Sequence, residues 1–278
     1  MPELPEVQAH AERLEQAFGG AALASFRPIT FTALKTFSPA PDAAVGHPLL
    51  SVRRRGKYLL LGFEPATFVV HLMQGGRLKP DDKQSLKPRG GIARWVFDDG
   101  RALLLTEAGT ERKAGVWVVA GDLEQQDPLD HLGPDATDVD RAGLAALLAE
   151  HSMRLHGFLR DQRIIAGLGR RLANEICHRA KLSPFATTAK LDGEQIARLL
   201  TAIDECVAES LDYERSRDDM SSSKDRPGAV HHREGETCPV CGDTIRAVEY
   251  RAYTVNYCPT CQTGGKVLAD NTTSKFLK

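Results

Sequence analysis

The chain has 278 residues, with 36 Lys and Arg against 37 Asp and Glu for a net charge of −1, and 42% of its residues are hydrophobic. That supports a real core, with length for two domains or one, and the near-zero charge argues weakly against a nucleic-acid partner. No apolar run approaches the ~20 residues that span a bilayer, and no basic stretch followed by an apolar one opens the chain, so neither a membrane span nor a signal peptide is expected and the expected location is cytoplasmic.

In chain order, residues 5–18 predict a helix: Val7, Ala11, Leu14 and Phe18 recur at helical spacing, Pro5 suits the first turn, and Gly19-Gly20 ends the run. Short runs rich in branched and aromatic residues follow at 58–62, 68–72, 92–97, 102–106 and 116–119, and Asp99-Gly100 between two of them is a hairpin signal. This half predicts a β-sandwich or barrel with one leading helix. Residues 121–138, acidic and holding Pro128, Gly133 and Pro134, predict a connection between domains. Helices are predicted at 139–151, 153–166, 172–180 and 192–213, the last opened by a capping box of Asp192 and Gln195. Residues 214–236 are polar and predict a loop.

Charge is segregated along the chain. Residues 151–190 carry eight Lys or Arg against two acids, whereas 121–150 carry one Arg against eight acids. A basic face of that kind releases counterions when it meets phosphates.

Six cysteines are present. Cys177 and Cys206 stand singly in helical segments and predict small buried hydrophobes. Cys238 and Cys241, then Cys258 and Cys261, form two CxxC pairs with sixteen residues between them. Two such knuckles on a hairpin bring four sulfurs around one zinc ion, with Gly242 at the tight turn of the first. The set leaves no open coordination position, so the expected Zn2+ is structural.

The other chemical candidate is the N-terminus, Met1-Pro2-Glu3. A small second residue favours removal of the initiator Met, which exposes the secondary amine of Pro2. Such an amine attacks an aldehydic carbon and forms an iminium ion that is cationic without a proton, and a neighbouring carboxylate, here Glu3, supplies the proton transfers. Taken alone, Met-Pro-Glu reads as an ordinary helix entry, which outweighs the catalytic reading.

Together these features resemble the formamidopyrimidine-DNA glycosylases, relatives of endonuclease VIII. The likeness runs through Pro2-Glu3-Leu4-Pro5-Glu6-Val7, Arg55-Gly56-Lys57-Tyr58-Leu59, His71-Leu72, His131-Leu132-Gly133-Pro134, the segment from Gly167-Leu168-Gly169 to Glu175, and Gly235-Glu236-Thr237-Cys238, in order from residue 2 to about 262. The resemblance implies an α+β fold: an N-terminal β-sandwich with a leading helix (1–128), a helix-two-turn-helix domain (129–235), and a four-cysteine zinc finger with a tail (236–278). It implies a monomeric bifunctional glycosylase and abasic-site lyase acting on double-stranded damaged DNA. Pro2 would be the nucleophile, Glu3 the proton shuttle, Glu6 a support for the nucleophile and Lys57 a phosphate ligand, with oxidised purines ahead of oxidised pyrimidines or bulkier lesions as substrate. A non-catalytic damage-binding protein and a zinc-ribbon RNA-associated protein are the competing readings.

Departures from the family pattern cluster at the expected DNA contacts, which are His71, Gln74, Arg77, Arg112, Lys113, Arg170, Arg171, Arg251 and Tyr253. Gln74 stands where the family has a void-filling Met. Lys113 and Ala114 replace an Arg and an aromatic wedge, with Arg112 beside them; a methyl group does not unstack a base step. Arg170-Arg171 follows Gly169 where the family has a phosphate-binding Asn. Tyr253 occupies the position of the zinc finger's arginine, and Arg251, two residues away on the same hairpin face, is a candidate stand-in.

Overall fold

The computed structural model describes residues 1–109, 112–221, 225–250 and 253–268. Its backbone falls into two compact units: Met1–His131 with Asp218–Met220, and Leu132–Arg217 with Ser221–Lys278.

In the first unit, helix α1 (Leu4–Phe18) precedes strands β1 (Leu23–Pro28), β2 (Leu49–Arg55), β3 (Tyr58–Phe63), β4 (Thr67–His71), β5 (Gly76–Pro80), β6 (Gly91–Phe97), β7 (Ala102–Glu107) and β8 (Gly115–Val119). Among the described residues these make two four-stranded antiparallel sheets, ordered β1-β6-β7-β5 and β2-β3-β4-β8. One hydrophobic core serves both sheets: Phe26, Phe68, Trp95 and Phe97 are buried in it, with the Phe26 and Trp95 rings 5.0 Å apart. The predicted face of α1 (Val7, Ala11, Leu14 and Phe18) closes the same core, where burying a Val, Leu or Phe side chain stabilises by roughly 1.5–3 kcal/mol. The α+β sandwich with a leading helix is therefore as expected. β1, β2 and β5 were not predicted, because their polar positions (Arg27, Arg53 to Arg55, Lys79) mask the alternation; only two residues of β2 are buried, Leu49 and Val52.

The second unit holds α2 (Arg141–Glu150), α3 (Leu155–Arg160), α4 (Arg170–Arg179), α5 (Gly193–Arg215), a hairpin of β9 (Arg246–Tyr250) and β10 (Tyr253–Tyr257), and α6 (Pro259–Thr263). α4 is its central helix and packs on α3, α5, β10 and α6. The predicted capping box opens α5: Gln195 N–H donates to the Asp192 carboxylate at 2.8 Å, and Asp192 N–H donates to the Gln195 side chain at 2.9 Å. Cys177 and Cys206 are buried, as expected. α3 ends six residues earlier than predicted. Asp161 turns its carboxylate onto Arg163 N–H at 3.1 Å, a local bond that competes with helix, and the chain beyond bridges Ala166 to Asp135. No helix of the described residues is long and apolar enough to cross a membrane.

Candidate functional site

The first candidate site is built where α1 begins. Glu3 is the extended N-cap residue of the helix and its N–H donates to Glu6 Oε2 at 2.9 Å. A carboxylate in the first turn also meets the positive end of the helix dipole. The local sequence thus buries two acids that a surface helix would leave in water: Glu3 is 5% exposed and Glu6 3%. Pro2, just ahead of them, is half-buried.

Lys57 reaches its place through the β2–β3 hairpin. Arg55 pairs with Tyr58, so Gly56 and Lys57 are the turn, and Gly56 takes the left-handed φ of 54°. Lys57 is only 8% exposed. Next door, β4 ends at His71, which pairs with Tyr58 on one side and Gly115 on the other. Burial first, then Lys57, then the chain's amino terminus, lower the His71 pKa to about 4. The imidazole is therefore neutral at physiological pH, with Nδ1 accepting from Met73 N–H at 3.2 Å. The ammonium of Lys57 and the terminal amine are thus both within electrostatic reach of this ring.

The remaining predicted residues of this unit lie on loops and strand ends. Gln74 is exposed in the turn from Leu72 to Gly76, where a Cβ on Gly76 would overlap the Leu72 carbonyl. Arg77 is half-buried and donates to the Gly76 carbonyl at 2.8 Å. Arg112, at a left-handed φ of 41°, and Lys113 are exposed. Ala114 is not a shortened wedge at a surface: it lies in the core, and its N–H donates to the buried Glu107 carboxylate at 2.7 Å.

In the second unit, Arg170 is the first residue of α4, behind the N-cap Gly169, and is half-buried. The expectation of a phosphate contact for Arg171 is corrected: the side chain is 4% exposed and donates to the Pro227 carbonyl at 2.7 Å, so it holds a loop rather than facing solvent. Beside it the Glu175 carboxylate accepts three backbone N–H groups, from Ala229 at 2.7 Å, Val230 at 3.1 Å and His231 at 2.8 Å. A Cβ on Gly228 would sit 2.8 Å from Glu175 Oε1, so glycine is needed there for the loop to approach. Part of the polar stretch read as an unstructured loop is thus clamped to α4. Arg251 lies outside the described residues, while Tyr253 opens β10.

The four predicted cysteines converge. Cys238 and Cys261 sulfurs are 3.9 Å apart, and Cys241 and Cys258 sulfurs 3.4 Å. Zn–S bonds of about 2.3 Å in a tetrahedron put sulfurs about 3.8 Å apart, so the set fits one zinc ion. Gly242 turns the first knuckle at φ 80°. Sequence reasoning missed His178 of α4, whose Nε2 is 3.4 Å from the Cys238 sulfur. An imidazole N–H donated to a metal-bound thiolate steadies it. No spacing motif ties residue 178 to the finger, so only the fold reveals the neighbour. The ion is a structural zinc.

Three family models match: the formamidopyrimidine-DNA glycosylase N-terminal domain over residues 1–116, the H2TH domain of the same enzymes over 132–222, and the zinc finger found in FPG and IleRS over 235–264. Formamidopyrimidine-DNA glycosylase of Methylococcus capsulatus is 32% identical, the alignment covering 94% of this chain and all of that one (100%). An uncharacterized formamidopyrimidine-DNA glycosylase-like protein of Mycobacterium tuberculosis is 45% identical over 149 residues, 53% of this chain and 94% of its own. Among solved structures, the Thermus thermophilus MutM (Fpg) protein superposes with a TM-score of 0.82 at 29% identity, covering 96% of this chain and 100% of that one. The Lactococcus lactis enzyme, bound non-covalently to DNA with an AP site, superposes at 0.83 with 22% identity over 94% and 99% of the two chains, a likeness of fold.

Proposed function

The chain belongs to the formamidopyrimidine-DNA glycosylase family and is a DNA glycosylase of DNA repair with a structural zinc finger; from that premise we propose that it is bifunctional, excising oxidised bases and then cleaving the strand through a Schiff base on Pro2. The observation that carries this reading is that Lys57 and His71 adjoin at the ends of neighbouring strands within electrostatic reach of the amino terminus, and that the two acids following that terminus, Glu3 and Glu6, are buried.

In the proposed reaction Met1 is removed and the damaged nucleotide is swung out of the duplex, since its sugar carbon is out of reach in the stack. The Pro2 nitrogen attacks C1′, the bond to the base breaks, and ring opening leaves an iminium ion. Glu3 carries the protons of ring opening, and Glu6 fixes the backbone of Glu3. The iminium withdraws electrons from the neighbouring carbon, so that loss of a proton there expels the 3′ phosphate, and a second elimination expels the 5′ phosphate. The ammonium of Lys57 holds a phosphate close to the lesion; a neutral His71 offers a hydrogen bond rather than a charge.

Residues 1–128 are the catalytic part in this reading, 129–235 the helical DNA-binding part and 236–278 the finger. Gln74, Arg77, Arg112 and Lys113 meet the duplex around the lesion, and Arg170, at the N-terminus of α4, meets phosphate as a charged fork. With Ala114 buried in the core, recognition proceeds without an aromatic wedge from that position. Oxidised purines are the favoured substrates, in line with the relatives' names. The enzyme acts as a monomer.

The test is borohydride trapping on duplexes with an abasic site, 8-oxoguanine, an oxidised pyrimidine or no damage. Wild-type protein is expected to give a covalent adduct mapping to Pro2, most strongly on its preferred lesion, and Pro2→Gly is expected to bind but not cleave. Cleavage by Pro2→Gly equal to wild type refutes the nucleophile. No adduct on any duplex, with Met1 shown to be absent and binding retained, makes the protein a damage binder.

A further inference from the structure

The sequence leaves the zinc finger with Tyr253 where its family has an arginine, and the structure shows what that tyrosine does. Tyr250 and Tyr253 face each other across the β9–β10 hairpin, their rings 4.7 Å apart and 14° from parallel. Both are met by arginines of α3. The Arg160 guanidinium lies 4.0 Å from the centre of the Tyr253 ring. Arg154, the N-cap residue of α3, donates to the Tyr250 hydroxyl at 3.3 Å and lies 5.0 Å from the centre of the Phe185 ring. Among the described residues neither guanidinium is within ion-pair distance of a carboxylate. A cavity of ≈ 380 Å³ opens against the tyrosines, lined also by Arg170, His231, His232, Thr254 and one acid, Glu249. His156, stacked 6.0 Å from Tyr253, is lowered to a pKa of about 3 by burial first and then by Arg160, so it stays neutral beside the arginines.

Arg160 is half-buried and Arg154 exposed, so both keep donor edges towards water. A guanidinium laid on a ring has already lost much of its rotamer freedom, and its planar fork matches a phosphate. Six residue steps of helical rise separate the two arginines by about 9 Å, enough for each to meet a different phosphate.

We infer that Arg160, positioned by Tyr253, and Arg154, positioned by Tyr250 and Phe185, bind successive phosphodiesters of a DNA strand, supplying from α3 the charge that the family places on the zinc hairpin. This rests on the DNA-glycosylase reading above. It makes the finger a platform that orients arginines of the helical domain.

The experiment is the salt dependence of binding of full-length protein to a duplex with a tetrahydrofuran abasic analogue, and to undamaged duplex. Each phosphate contact contributes about 0.9 to the slope of log K against log salt. Arg160→Gln is expected to lower the slope by about 0.9 on both duplexes, and the Arg154→Gln, Arg160→Gln double variant by about twice that. Tyr253→Phe is expected to keep the wild-type slope and Tyr253→Ala to lose part of it. Zinc content and circular dichroism equal to wild type establish that the variants are folded. Wild-type slopes in both Arg variants, with wild-type binding intact, overturn the inference alone. A wild-type protein that shows no salt-dependent duplex binding overturns the DNA-binding reading, and this inference with it.

Discussion

Replacing Glu175 by Ala removes the acceptor of three backbone N–H groups in one step. Those of Ala229, Val230 and His231 sit 2.7, 3.1 and 2.8 Å from its oxygens. A hydrogen bond to a charged group contributes about 1.5–3 kcal/mol net, and because Glu175 is half-buried, water replaces part of each bond. Taking roughly 1 kcal/mol per donor gives a loss of about 3 kcal/mol, a large share of the 5–15 kcal/mol by which domains are typically stable. The damage should spread: Val230 packs in a small cluster with Cys238, Ile245 and Cys258, so releasing its backbone loosens two zinc ligands. Guanidinium unfolding should show an earlier midpoint for Glu175→Ala, and a chelator should strip its zinc faster than from wild type. Glu175→Gln, which keeps one acceptor oxygen, should fall between them. Equal midpoints together with equal hydrogen-exchange protection at the amides of residues 229–231 would refute the clamp.

Cys258→Ser should release zinc and weaken duplex binding, read by metal analysis and a binding titration; affinity unchanged after zinc loss would leave the finger a cap with no part in binding. Stability should fall in mild acid. His10 and His71 have folded pKa values lowered to about 4, in each case by burial first, against 6.5 unfolded. Between those values the unfolded chain binds more protons than the folded one, so stability is full above pH 6.5 and is lost as pH falls towards 4. The loss is about 2 kcal/mol per histidine by pH 5, visible as a drop in urea midpoint that His10→Asn should reduce. A midpoint that stays flat from pH 7 to 5 would contradict the burial of these rings.

By itself the sequence determined whatever depends on local pattern or on residues close together in the chain. The α1 face, the capping box at Asp192 and Gln195 and the Gly242 knuckle follow from periodicity, side-chain reach and allowed φ. The four zinc cysteines follow from spacing, while the proposed roles of Pro2, Glu3 and Lys57 rest on motif. Strands β1, β2 and β5 were hidden because only one face of each is buried, so arginine and lysine on the other face erase the alternation. Tertiary structure alone decided which polar residues face solvent. Arg170 and Arg171 are neighbours in sequence, yet successive helical residues point about 100° apart, and the loop at 226–228 covers one of them. Ala114 went to the core rather than to a DNA-facing tip. His178 beside Cys238, Glu175 under residues 229–231, and Arg160 on Tyr253 join partners 60, 54 and 93 positions apart. Contacts that distant are set by how α3, α4 and the hairpin pack, and packing depends on complementarity between surfaces that no local stretch of sequence contains.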